Sequence, residues 1–154
     1  MPVHEVDAFF SICSTVGGYI VFPSNKINKS PTINGACGLH GKVRDRFDLT
    51  LKYIRRHYQG QDSPLSETLS RYDRFFRLFG NFDGYVEFFF LEDMMSIDNT
   101  VRFFLPFRDF HAHPLPRNLD EYRLYKDALV AFIVARNQRI AGYASLNSPM
   151  RKQP

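Results

Sequence analysis

The sequence predicts an α+β fold: a mainly helical single domain with a small β-hairpin or sheet. Apolar residues recur at helical spacing in several segments, and two short β-prone runs are bounded by Pro, Gly and Asn. The chain has 154 residues, of which 44 % are hydrophobic and 23 % charged, ordinary values for one globular domain. We expect residues 1–144 to form that domain and residues 145–154 to form a flexible polar tail.

The N-terminal part predicts a helix followed by a hairpin. Apolar side chains at helical spacing indicate a helix over residues 3–14. Residues 19–22 are a β-prone run ended by Pro23, and residues 32–34 can return as a second strand after a polar turn.

Residues 45–58 give the clearest helical pattern in the chain. Their apolar positions are Phe47, Leu51, Ile54 and Tyr58, which recur at i, i+4, i+7 and i+11. Their basic positions off this stripe are Lys52, Arg55 and Arg56. The segment therefore predicts a helix with one buried face and one cationic face.

A second helix is predicted from Ser63-Pro64, an N-cap followed by Pro at the first helical position, as far as Gly80. Residues 82–94 predict a further helix, with a strand as the alternative for residues 85–91.

Residues 101–105 predict a strand ended by Pro106. Asn118 and Glu121 form a capping box that opens the longest predicted helix, over residues 119–140.

Composition limits the classes of protein that fit. Eleven of the 16 Phe residues lie between positions 75 and 110 and there is no Trp, which predicts a large aromatic core; an exposed aromatic docking surface is the alternative. The two cysteines, Cys13 and Cys37, form no disulfide framework. Because no signal peptide or membrane-spanning segment is readable, we expect a cytoplasmic protein.

The charge of +4 is unevenly distributed. Residues 41–80 hold nine Lys and Arg against five Asp and Glu, which gives +4, whereas residues 81–100 hold five acidic and no basic residues, which gives −5. The acidic and basic segments either neutralise each other in the fold or leave a basic face for a polyanion.

One polar constellation is the best candidate for a binding site. Its members are Asn25, Lys26, Asn34, Arg44, Arg46, Arg55 and Arg56. Arg side chains suit phosphate and amides can read a base or ribose, so an anion is the expected ligand. The alternative is a hairpin turn, a salt bridge at a helix N-terminus and a solvated helix face.

Catalytic and metal-binding signals are weaker. His57 and His40 are candidate proton-transfer groups for a metal-independent ribonuclease. Arg136 and Asn137 are secondary candidates near a helix C-terminus, where Arg also interacts with the helix dipole. His111-x-His113 lacks further ligand spacing, so no metal and no cofactor are predicted.

Several segments together resemble an uncharacterised bacterial protein family. They are Gly17–Pro23 with the following Asn25-Lys26-Ile27, then Thr32–Ala36, Asp45–Tyr58 and Ala135–Asn137. The resemblance implies no activity. Relatives carry Arg at the position of Cys37 and a longer N-terminal region, so this chain resembles a short form.

These observations favour a non-enzymatic interaction protein. A basic, aromatic-rich surface would bind an acidic or nucleic-acid-containing partner, and an inhibitor of a host defence complex from a phage or mobile element would fit a short form. The alternative is an enzyme acting on a nucleotide or RNA. The partner and the oligomeric state are left open.

Overall fold

Six α-helices make up most of the residues that the computed structural model describes, which are 3–20, 46–106 and 116–147. They are α1 (Val3–Cys13), α2 (Phe47–Tyr58), α3 (Ser66–Ser70), α4 (Asp73–Phe76), α5 (Phe82–Phe88) and α6 (Leu119–Asn147). Short 3-10 turns lie at Val16–Gly18, Arg77–Phe79 and Glu92–Met94.

The predicted α+β class is wrong, because the described ranges are mainly helical and contain no strand, sheet or hairpin. Pairing of β type within these ranges is limited to one isolated antiparallel bridge between Met95 and Val101. Tyr19 and Ile20 belong to no strand. The rest of the predicted hairpin, residues 21–34, lies outside the described residues.

The strand predicted over residues 101–105 fails for a physical reason. After the Arg102 N–H donates to the Met94 carbonyl, the Phe104 N–H donates to Oδ2 of Asp48 at 2.8 Å. A β-prone run needs a partner strand to satisfy its backbone groups. Here a buried carboxylate on α2 accepts one of those bonds.

The helix predicted from Ser63 to Gly80 is divided into α3, α4 and a 3-10 turn. Hydrogen bonds from Arg71 to Thr68, from Tyr72 to Leu69 and from Phe75 to Tyr72 span three residues rather than four. Apolar residues of this segment that have helical spacing in the sequence are nevertheless buried at Leu65, Leu69, Tyr72 and Phe76. The side-chain pattern therefore indicated the buried residues, whereas it did not indicate the interruption of the helix.

Helix α5 ends earlier than the predicted helix over 82–94. Phe90 adopts a left-handed φ of 55°, the Leu91 N–H donates to the Val86 carbonyl and the Phe90 N–H donates to the Glu87 carbonyl. These are the two bonds of a Schellman motif, usually built on Gly. Burial of Leu91 and Val86 offsets the cost of the left-handed conformation at Phe90, which is not a glycine.

Helix α6 confirms the predicted N-cap and exceeds the predicted length. Oδ1 of Asn118 accepts from the Glu121 N–H at 2.9 Å, while the Glu121 carboxylate accepts from the Arg117 N–H at 2.8 Å instead of the Asn118 N–H. The helix continues to Asn147, so residues 145–147, predicted as tail, are helical.

Helix α2 lies at the centre of the core. Leu51, Tyr53 and Ile54 are almost fully buried, and Phe47 contacts Phe132 of α6 with ring centroids 4.9 Å apart. Within the described ranges, no helix is both long and apolar enough to cross a membrane.

Candidate functional site: a cationic face of helix α2

The core leaves one narrow side of α2 facing solvent. Lys52, Arg55 and Arg56 lie on that side, partly exposed, and we refer to these three residues as the cationic stripe. The stripe follows from helical geometry, since residues three and four apart share a face while the intervening positions are buried.

The cations of the stripe are close enough to repel one another. Burial and the charges of Arg55 and Arg56 lower the pKa of Lys52 below its ordinary value. Arg55 donates to Gln59 Oε1 at 3.5 Å, and Arg56 donates to the Asp62 carbonyl at 2.7 Å. Within the described ranges, neither Lys52 nor Arg55 forms an ion pair with a carboxylate.

A surface cavity of about 270 Å³ adjoins one end of the stripe. We refer to it as the α2–α5 cavity. It is lined by Arg55, Tyr58, Gln59, Gly80, Asn81, Phe82, Asp83 and Asn99. One guanidinium, three carboxamides and one carboxylate therefore surround a partly aromatic wall.

Two hydrogen bonds fix the polar rim of the α2–α5 cavity. Oδ1 of Asn81 accepts from the Gly84 N–H at 2.9 Å and caps α5. Nδ2 of Asn99 donates to Asp83 Oδ1 at 3.2 Å. Asn99 has a left-handed φ of 57°, a conformation that Asn tolerates better than most residues.

Arg46, predicted as a binding residue, is buried. Its guanidinium donates to both carboxylate oxygens of Asp48, which is fully buried, and lies 5.7 Å from the centre of the Tyr125 ring. Asp48 also accepts from the backbone N–H groups of Leu49 and Phe104. The structure thus places Arg46 in an ion pair that joins α2 to the segment after Val101, apart from the exposed cations.

His57 lies on another side of α2 from Arg55. Two residues along a helix are separated by about 200°. Nε2 of His57 is 3.1 Å from Asp73 Oδ1, and its ring centroid lies 4.9 Å from that of Phe76. His57 does not line the α2–α5 cavity.

Arg136 and Asn137 of α6 bind the turn that follows α1. Arg136 is 3 % exposed and donates to the carbonyls of Gly17, Tyr19 and Phe89 at 2.8–2.9 Å. Asn137 accepts from the Gly17 N–H at 2.8 Å and donates to Thr15 Oγ1 at 2.7 Å. Burial lowers the pKa of Arg136 below its ordinary value.

Gly17 permits this close approach. A Cβ at that position would lie 2.7 Å from Asn137 Oδ1 and 2.7 Å from the Ile133 carbonyl oxygen. The local sequence gives no sign of this contact, because it depends on Asn137, which lies 120 positions later in the chain.

The other predicted residues lie outside the part of the chain that the structure describes. Asn25, Lys26, Asn34, Arg44 and His40 lie outside the described residues, as do Cys37 and the His111-x-His113 pair. Of the predicted constellation, the structure brings together Arg55 and Arg56 on the stripe and separates them from Arg46.

Sequence reasoning missed several polar residues of the α2–α5 cavity. They are Gln59, Asn81, Asp83 and Asn99. Asn81 had a usable signal, since an Asn directly after Gly80 and before an apolar run is typical of an N-cap. The approach of Asn99 to α5 depends on tertiary structure and had no local signal.

The fold and site define a helical domain with a cationic face on its central helix. The chain belongs to DUF6994, a family of unknown function whose model matches residues 1–140. The match confirms the predicted membership of an uncharacterised family. Comparisons with curated proteins and with solved structures gave no match.

Proposed function

We propose that this protein is a non-enzymatic binding protein that holds an anionic partner on the cationic stripe of α2. The observation that supports the proposal is that two of the three cations of the stripe, Lys52 and Arg55, lie close together without a carboxylate partner in the part of the chain that the structure describes. Arg71, Arg77 and Arg139 each have a carboxylate within 4 Å, whereas Lys52 and Arg55 have none within the described ranges.

Adjacent cations without carboxylate partners are favourable for polyanion binding. An anion on the stripe would relieve the mutual repulsion that contributes to the lowered pKa of Lys52. Clustered cations also raise the local concentration of anionic ligands and accelerate their encounter, and they release counterions from a nucleic acid.

Binding is favoured over catalysis by the placement of His57. The enzymatic alternative uses His57 or His40, and in the form that uses His57 this imidazole has to reach a substrate phosphate held by Arg55. Instead, His57 pairs with Asp73 on a different side of the helix, while Arg55 faces the α2–α5 cavity. The contact between His57 and Asp73 links α2 to α4, and this structural role accounts for His57 without catalysis.

The test is a tagged pull-down from the native host, with and without nuclease, using two matched variants. Lys52→Gln/Arg55→Gln removes two charges from the stripe. Arg77→Gln/Arg123→Gln removes two charges from exposed side chains elsewhere. Captured proteins are identified by mass spectrometry and captured nucleic acid by its absorbance.

The proposal predicts a partner that the wild type and Arg77→Gln/Arg123→Gln retain and that Lys52→Gln/Arg55→Gln loses. A protein of a host defence complex among such partners would support a role as an inhibitor of that complex, encoded by a phage or mobile element. Equal recovery by all three proteins would contradict the proposal, as would a partner lost equally from both variants.

A further inference from the structure

The α2–α5 cavity combines hydrogen-bond donors with a carboxylate acceptor. Nε2 of Gln59, Nδ2 of Asn81 and Oδ2 of Asp83 have no hydrogen-bond partner within the described ranges. The Arg55 guanidinium lies on the same lining. A ligand in the cavity can therefore donate hydrogen bonds to Asp83 and accept them from Arg55 and the amides.

The size and wall of the cavity fit one flat group. Its volume of about 270 Å³ is just below the range of about 300–1,000 Å³ typical of sites for drug-sized molecules. Half-buried Tyr58 supplies most of the aromatic surface, since Phe82 is only 7 % exposed. The Tyr58 hydroxyl donates to the Phe76 carbonyl at 2.7 Å, which fixes its ring in place. Aromatic side chains are the usual stacking surface for an unpaired base.

Resting on the proposed function, we propose that the anionic partner is a single-stranded nucleic acid, with phosphates on the cationic stripe and a guanine base in the α2–α5 cavity. Guanine carries N1–H and N2–H donors beside its O6 acceptor, so one edge can donate to Asp83 and accept from Arg55 or an amide. Adenine can donate from its N6 amino group, but it carries an acceptor at N1 where guanine carries N1–H, and a carboxylate repels that acceptor. The hydrogen-bonding groups of the cavity lining therefore favour guanine over adenine.

The test is fluorescence anisotropy with labelled ten-nucleotide oligouridylates in which one central base is U, G, A or C. We expect the wild type to bind the G oligonucleotide roughly 5- to 100-fold more tightly than the A oligonucleotide, the discrimination typical of one well-placed bidentate contact. A polyglutamate peptide of equal length measures affinity for an acidic protein segment.

Two substitutions on α5 separate base reading from charge. Asp83→Asn removes the carboxylate from the cavity and is expected to abolish the preference for G over A while affinity for the other oligonucleotides is kept or increased. Glu87→Gln makes the same charge change on an exposed residue of α5 outside the cavity lining and should keep the preference.

The possible failures are distinguishable. Equal affinity for all four oligonucleotides, weakened by Lys52→Gln/Arg55→Gln, would overturn the guanine site and leave the proposed function standing. Binding of polyglutamate but of no oligonucleotide would overturn the nucleic-acid assignment alone. If no polyanion binds and the pull-down also shows no dependence on the stripe, both proposals fail.

Discussion

Replacing Arg136 by Met is expected to destabilise the fold by about 3–5 kcal/mol. The buried guanidinium donates three hydrogen bonds to backbone carbonyls, and its centre lies 5.6 Å from the Phe47 ring centre. Hydrogen bonds from a charged donor contribute about 1.5–3 kcal/mol each. The substitution also removes the cost of burying a charged guanidinium, which offsets part of the summed loss of three hydrogen bonds. The net loss is therefore the range of about 3–5 kcal/mol given above.

The assay is urea denaturation followed by circular dichroism. Arg123→Met provides the control, because Arg123 is an exposed residue of the same helix and should change the free energy of unfolding by less than about 0.5 kcal/mol. Arg136→Lys should restore little, since one ammonium lacks the planar fork that reaches three carbonyls. A loss below about 1 kcal/mol for Arg136→Met would refute the assigned contacts.

Three further substitutions test other parts of the structure. Tyr85→Phe should keep or raise stability, because the fully buried Tyr85 hydroxyl has no hydrogen-bond partner within the described ranges. Tyr58→Phe should cost about 0.5–1.5 kcal/mol, because the Tyr58 hydroxyl donates to the Phe76 carbonyl. A lower urea midpoint for Tyr85→Phe than for Tyr58→Phe would contradict this. Gly17→Ala should lower the free energy of unfolding by about 1–3 kcal/mol, because its Cβ would meet the backbone of α6; a neutral thermal melt would show that the contact is absent. Arg55→Gln should raise the pKa of Lys52, which NMR titration of the side chain measures. Because the folded-state pKa of Lys52 lies below its unfolded-state pKa, stability rises with pH between the two values. The variant should show a smaller rise, since its two pKa values lie closer together. An unchanged Lys52 pKa would show that the charge of Arg55 does not act on Lys52.

Helices whose stability depends on a continuous apolar stripe could be predicted from the sequence. Helix α2 has four apolar residues on one face, and α6 adds a capping Asn118. In both, local propensity and burial favour the same structure. The segment of Ser63–Gly80 also has apolar residues at helical spacing, yet hydrogen bonds that span three residues at Arg71, Tyr72 and Phe75 interrupt its helix, and the spacing of the buried residues does not indicate that interruption.

The β predictions failed because strands depend on partners that a local pattern does not specify. Residues 101–105 are β-prone, but the Phe104 N–H is satisfied by Asp48, 56 residues earlier in the chain. The same limit applies to the site. Spacing indicated Arg55 and Arg56, but the burial of Arg46 and the approach of Asn99 to α5 arise only from tertiary structure.

The most direct test of the cationic stripe is the salt dependence of oligouridylate binding. For a single strand, each phosphate neutralised contributes about −0.7 to the slope of log K against log salt concentration. Three cations therefore predict a slope of about −2 for the wild type, and Lys52→Gln/Arg55→Gln should reduce it to about −0.7. Arg77→Gln/Arg123→Gln should keep the wild-type slope. If Lys52→Gln/Arg55→Gln kept the wild-type slope, the anion would bind elsewhere, and the cationic stripe would not be the binding surface.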